Sequence, residues 1–289
     1  MRAHRLSAYD AWIRYLDLPG DGPAHVYLAG LGSAATAEFP EIVTHPALRG
    51  RRSLLVDLLG TGWSDPGPGW FGHTIEEHAA TVAALLDGLG LHRCVVVGHS
   101  LGGSVAITLA HTRPDLVGQL VTSEPNLDPG VGRLSRHIAD QPETRFVMRG
   151  YDVLRASVER EERAAGQSLF YATTGRWSPL AMYRAAVSLL AERDPTFRAQ
   201  LLAAPMPRAY LVGERSGDVD ATDLAAAGVT VHVVPDAGHT MAYDNPTGYA
   251  EAIAAAIIST ARPSEVPDGR QPQRAHTSRN ADAAATNAS

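Results

Sequence analysis

Along the chain, short runs of consecutive apolar residues alternate with longer stretches in which apolar residues recur at helical spacing. The short runs predict buried strands and the longer stretches predict helices. The strand-like runs are Val26-Tyr27-Leu28, Ser53-Leu54-Leu55-Val56, Cys94-Val95-Val96-Val97, Gly118 to Ser123, Arg208 to Val212 and Val229 to Val234. Thr74 to Leu89 reads as a helix. Thr74 can cap it, Glu76 and Glu77 suit its first turn, and Gly88 and Gly90 end it. A second helix follows Ser100 and stops near Arg113-Pro114, and Tyr249 to Ile258 reads as an alanine-rich closing helix. Residues 6 to 18 alternate instead, with Ile13, Tyr15 and Leu16 among polar neighbours, which predicts early strands of a meander. Pro19-Gly20-Asp21-Gly22-Pro23 predicts a turn.

From residue 131 to about 200 the pattern changes. Helical segments carry many charges and several aromatics, among them Phe146, Tyr151, Phe170, Tyr171, Trp177 and Tyr183, and no run reads as a strand. Ser178-Pro179 opens one of these helices, the serine as cap and the proline at the first helical position. From Pro263 onward the chain is polar with almost no large apolar residue, which predicts disorder for 263–289. There is no internal repeat.

Composition narrows the function classes. The chain has 289 residues and a net charge of −6, with both signs scattered, so nothing argues for a nucleic-acid partner. All 25 basic side chains are arginine, a feature of coding bias rather than of function. Its length suits one large α/β domain with an insertion, or two small domains. The one cysteine, Cys94, lies in an apolar strand and is expected to be a buried core thiol. No apolar window is long enough to span a membrane, and the N-terminal residues lack the apolar run of a signal peptide. A cytoplasmic protein, monomer or homodimer, acting on a small molecule without a cofactor, is the expectation. No HExxH and no cluster of Cys and His suggests a metal centre.

The candidate chemistry centres on Gly98-His99-Ser100-Leu101-Gly102, a G-x-S-x-G sequence between a β-branched strand and a small-residue helix. In that setting it is a nucleophile elbow: a sharp turn with the serine in a strained conformation and glycines where side chains would collide. Gly103, Ser104 and Ala106 keep the following helix thin. Serine is a weak nucleophile until a base takes its proton and a carboxylate orients that base.

On these residues the chain resembles the α/β-hydrolase superfamily, in its serine-hydrolase branch. The resemblance implies an α/β fold, with a mostly parallel central sheet flanked by helices. It also implies a helical cap inserted at 131–200, with the core formed by 1–130 and 201–262. Asp57-Leu58-Leu59-Gly60-Thr61-Gly62-Trp63-Ser64 is similar to the family's D-x-x-G-x-G-x-S loop, which is structural, so Asp57 is not assigned as the acid. The Gly238-His239 step after the last strand matches the family's catalytic base. His99, although beside Ser100, leaves the turn in another direction and is expected to pack or hydrogen-bond. The oxyanion hole is expected at the N–H groups of Leu31 and Leu101. Before Leu31 the family often has histidine then glycine; here Ala29 and Gly30 stand.

Two positions compete for the acid. The family's frequent Gly-x-x-Asp reads Gly213-Glu214-Arg215-Ser216 here, which puts serine where aspartate is expected. The acid is then either later, at Asp218 or Asp220, or after the preceding strand, at Glu124. Glu124 is adopted, because its strand is expected beside the elbow strand and its length suits reaching His239. The order Ser100, Glu124, His239 agrees with the order expected of the fold. A serine nucleophile points to acyl transfer rather than dehalogenation or epoxide opening, for which relatives use aspartate. The expected activity is hydrolysis of a carboxylic ester of a small or medium apolar acyl group. Lactonase, thioesterase, amidase or iminopeptidase and carbon–carbon bond hydrolase remain as alternatives, as does a ligand-binding protein with little turnover.

Overall fold

The structure, a computed structural model, describes residues 1–216 and 221–261. The alternation at the start of the chain forms an antiparallel pair, β1 (Arg2–Leu6) and β2 (Ala11–Leu18). Ala11, Ile13 and Tyr15 of β2 are buried while Trp12 between them is exposed. The other strands are β3 (Asp21–Leu28), β4 (Arg51–Asp57), β5 (Cys94–His99), β6 (Val117–Ser123), β7 (Arg208–Gly213) and β8 (Thr230–Val234). They form one sheet in the order β1-β2-β4-β3-β5-β6-β7-β8, parallel from β4 to β8.

The parallel strands read as continuous apolar runs because both faces of the sheet are covered. Val96, Leu120 and Tyr210 pack on one face with the helices Ile75–Gly88 and Leu101–Thr112. Val95, Val97, Val121 and Leu211 pack on the other with Phe39, Ile42 and the closing helix Pro246–Ala261. Helix Ile75–Gly88 starts with a capping box: Glu77 N–H donates to Thr74 Oγ1 at 3.1 Å, and Thr74 N–H donates back to Glu77 Oε2 at 3.0 Å.

The turn predicted over Pro19 to Pro23 is confined to its first two residues, since β3 begins at Asp21, whose N–H donates to the Gly50 carbonyl at 2.8 Å. Pro23 is tolerated because the β3–β4 ladder is irregular between Asp21 and His25, where no donor is required. The first strand also begins earlier than the alternation suggested, at Arg2. Between β6 and β7 the chain is helical. The longer helices are Arg133–Ala139, Tyr151–Ala164, Pro179–Leu190 and Phe197–Ala203, with short turns at Glu143–Arg145, Phe146–Gly150 and Leu169–Thr174. Ser178 caps the helix opened by Pro179, as its sequence predicts. The segment 263–289, expected to be disordered, lies outside the described residues.

The core holds an acid-sensitive group. His78 is fully buried and, among the described residues, neither ring nitrogen has a hydrogen-bond partner. Burial, helped by nearby His73, pushes its pKa down to about 3. The unfolded chain takes up this proton from about pH 6.5 downward while the folded chain does not, so folding loses stability as pH falls below that value. Between pH 6.5 and 5 this one group costs about 2 kcal/mol. Denaturant titrations at pH 7 and pH 5 are expected to differ by about that much less in His78→Leu than in the parent chain. An unchanged difference would contradict the assignment.

Candidate active site

Parallel strands bring their carboxyl ends to one edge of the sheet, and that edge is where α/β sheets form binding sites. Ser100 follows β5 directly, with φ 51° and ψ −117°. This is a sparsely populated region for a residue with a side chain, costing about 1–3 kcal/mol. The surroundings hold it there. Ser100 N–H donates to the Ser123 carbonyl at 2.9 Å, and its own carbonyl accepts from Gly103 and Ser104 at 2.9 and 3.1 Å. The flanking glycines have no room for side chains. A Cβ on Gly98 would lie 2.4 Å from the Gly102 carbonyl oxygen, and one on Gly102 would lie 2.2 Å from that of Leu28. The turn therefore lifts Ser100 out of the sheet against a closely packed helix.

His239 comes from the loop after β8. Its Nε2 lies 3.1 Å from Ser100 Oγ, and its Nδ1 lies 2.7 Å from Glu124 Oε2. Glu124 follows β6, and its second oxygen accepts the Gly213 N–H at 2.8 Å. Its side chain is 8% exposed, against 53% for His239. Burial alone would raise the carboxyl pKa, but the hydrogen bonds from His239 and Gly213 outweigh it and the group is held below its ordinary value. The buried Ser216 hydroxyl, at the position where aspartate was expected, also favours the ionised form, although among the described residues it makes no well-aligned hydrogen bond. With a carboxylate facing Nδ1, the neutral imidazole carries its proton there and leaves Nε2 to accept from Ser100. Asp218 and Asp220 lie outside the described residues. Gly213 belongs to this arrangement through its backbone: a Cβ there would lie 2.5 Å from the Gly238 carbonyl oxygen, so the end of β7 can lie against the His239 loop.

His99 points away from Ser100. Its Nδ1 lies 2.8 Å from Glu38 Oε1 and its Nε2 lies 2.8 Å from the carbonyl oxygen of His239. Burial opposes a charge on this ring, but the adjacent Glu38 carboxylate prevails and raises its pKa. Glu38, at the end of the short helix Ala35–Glu38, was not singled out in the sequence, where nothing local marks its pairing with a residue 61 positions away.

Leu101 opens the elbow helix, and the first N–H groups of a helix have no acceptor within it. The loop from Ala29 to Ser33 passes beside the elbow: a Cβ on Gly30 would lie 3.3 Å from Ser100 Cβ. Leu31 is in this loop. The helical segment bears on it as well. Trp177 Nε1–H donates to the Ser33 carbonyl at 2.6 Å, and the Phe170 ring lies 2.9 Å from where a Gly32 Cβ would stand. Ser33 Oγ and Tyr243 Oη are 3.0 Å apart.

Asp57 accepts from Thr36 N–H at 3.1 Å, Thr36 Oγ1 at 2.8 Å and Trp63 N–H at 3.0 Å, so its carboxylate is engaged in tying loops together. The Cys94 thiol is buried, which pushes its pKa up to about 11 and leaves it a poor nucleophile. Among the described residues, no group of three or more His, Cys, Asp and Glu side chains is placed to hold a metal ion. No described helix is long and apolar enough to cross a membrane.

A profile of the alpha/beta hydrolase family matches residues 18–252. A putative carbamate hydrolase, RutD, of Stutzerimonas stutzeri (strain A1501) is 42% identical over 102 residues. That match covers 35% of this chain and 37% of the relative, so the two are alike over little more than a third of the relative's length. A 2-succinyl-6-hydroxy-2,4-cyclohexadiene-1-carboxylate synthase of Salmonella agona (strain SL483) is 30% identical over 252 residues, covering 82% of this chain and 95% of that one. The crystal structure of an enol-lactonase from Burkholderia xenovorans LB400 superposes with a TM-score of 0.73 at 16% identity, over 89% of this chain and 100% of that one. At that identity the superposition speaks for the fold alone.

Proposed function

Since the chain belongs to the alpha/beta hydrolase family, we propose that it is a serine hydrolase that cleaves a carboxylic ester or related acyl bond through an acyl-enzyme on Ser100. The observation that carries the reading is the unbroken hydrogen-bond series from Ser100 Oγ through His239 to Glu124. In this mechanism Ser100 Oγ attacks the acyl carbon as His239 Nε2 takes its proton. Glu124 stabilises the imidazolium and holds its tautomer. The carbonyl oxygen, now anionic, is met by the N–H groups of Leu31 and Leu101, donors each worth about 3–4 kcal/mol in barrier lowering. His239 returns the proton to the leaving group as the tetrahedral intermediate collapses. Water then repeats the sequence on the acyl-enzyme, releasing the acid and free Ser100.

The helices of 131–200 act as a cap over this site. Support comes from Trp177 and Phe170, which bear on the loop carrying Leu31. Aromatic side chains in that position suit a small or medium apolar acyl group. The test is a panel of p-nitrophenyl esters of increasing acyl length, extended to lactones, thioesters, carbamates and amides. A carbamate hydrolase and an enol-lactonase among the similar proteins put those two classes in the panel. Turnover of apolar acyl esters in preference to charged ones is expected. Binding of the panel without turnover would contradict the proposal and favour a ligand-binding role.

A further inference from the structure

His99 is bonded at both ends of its ring, and neither bond enters the acyl-transfer steps. Nε2 faces the carbonyl oxygen of His239 at 2.8 Å. A carbonyl can only accept, so this nitrogen carries a proton. Nδ1 faces Glu38 Oε1, also at 2.8 Å. The two side chains are 6% and 0% exposed. Taking such a pair out of water is costly, and a hydrophobic pair of similar volume is often no less stable. Among the described residues the other carboxylate oxygen of Glu38 has no hydrogen-bond partner, so the link to His99 is what engages this group.

The pair sits at a point that matters for the base. The loop carrying His239 is anchored at successive residues. Arg215 N–H donates to the Ala237 carbonyl at 2.8 Å, and Gly238 N–H donates to Asp244 Oδ2 at 2.7 Å. At residue 239 itself the anchor on the main chain is His99. Beyond it, the His239 imidazole is half exposed and projects from this backbone toward Ser100, its ring centre 5.1 Å from that of His99.

We infer that the buried Glu38–His99 pair is a positioning device for His239: Glu38 orients the His99 ring, and His99 Nε2–H fixes the main chain from which the imidazole reaches Ser100. The inference rests on His239 being the base of the proposed reaction. A small displacement of a catalytic group is enough to cost a large part of the rate, which is why a fixed backbone at this residue has a kinetic consequence.

The test uses two substitutions that divide the functions of the ring. The glutamine amide nitrogen falls near the place of Nε2, and the asparagine nitrogen near that of Nδ1. His99→Gln therefore keeps a donor to the His239 carbonyl, and His99→Asn does not. Both are made together with Glu38→Gln, so that no lone charge is left buried. The readout is the rate at which a fluorophosphonate labels Ser100, alongside kcat and KM on the best ester of the panel. The glutamine variant is expected within about threefold of the parent, and the asparagine variant about ten- to a hundredfold slower, in kcat rather than KM. Equal rates for the two variants, or a glutamine variant as slow as the asparagine one, would overturn the inference. A parent chain that is not labelled would instead overturn the underlying reaction. If the asparagine variant does not fold, NMR of the parent with 15N-labelled histidine decides: a proton on His99 Nε2 is expected, and a bare Nε2 overturns the inference.

Discussion

Ser100→Ala is expected to lower kcat by about 10⁶-fold while leaving the fold in place. In the proposed reaction, removing Oγ removes the atom that bonds to the acyl carbon, and among the described residues no nearby group is free to replace it. Cys94 is buried with a raised pKa, and the His99 ring is committed to Glu38 and the His239 carbonyl. Stability is expected to rise slightly or stay level. The main-chain hydrogen bonds of residue 100 do not involve the side chain, and alanine at φ 51° is strained much as serine is. Thermal unfolding and circular dichroism check the fold, and single-turnover kinetics check the rate. More than about 1% of parental kcat in a folded variant would remove Ser100 from the mechanism.

Glu124→Gln is expected to cost about 10⁴-fold in kcat with substrate binding nearly unchanged. Loss of charge is one cause, since an amide stabilises the imidazolium less. The second cause is specific to this site. Gly213 N–H requires an acceptor, and Glu124 Oε1 supplies it at 2.8 Å. A glutamine must turn its carbonyl oxygen to Gly213, which leaves its NH2 facing His239 Nδ1. The neutral imidazole then carries its proton on Nε2, facing Ser100 Oγ, where it cannot take a proton. Asp218→Asn, made beside it, is expected to cost little. A near-parental Glu124→Gln with a crippled Asp218→Asn would move the acid to the later loop.

Much of this arrangement could be read from the chain because its causes are local. The inner strand runs are largely apolar because both faces of the sheet are covered there, and the glycines at 98 and 102 are required by close backbone contacts at the elbow. Thr74 and Ser178 mark their helix starts by side-chain bonds three residues away. The choice between Glu124 and the later aspartates was not local. It depends on how β6 and β7 pair and on where the His239 loop returns, neither of which is written in any short stretch. Glu38 was missed for the same reason: it lies 61 residues from His99, and only the packing of its short helix against the elbow brings them together. The extension of β3 through Pro23 was missed because the proline and glycines that signal a turn also suit an irregular strand pairing.

The proposal that Ser100 is a nucleophile served by His239 is tested most directly by covalent labelling. The parent chain is incubated with a fluorophosphonate, its intact mass is measured, and the modified peptide is sequenced by tandem mass spectrometry. One phosphonyl group per chain, on Ser100, absent from Ser100→Ala and slowed in His239→Ala, is the predicted result. A parent chain whose mass does not change, or a label carried on another residue, would contradict it.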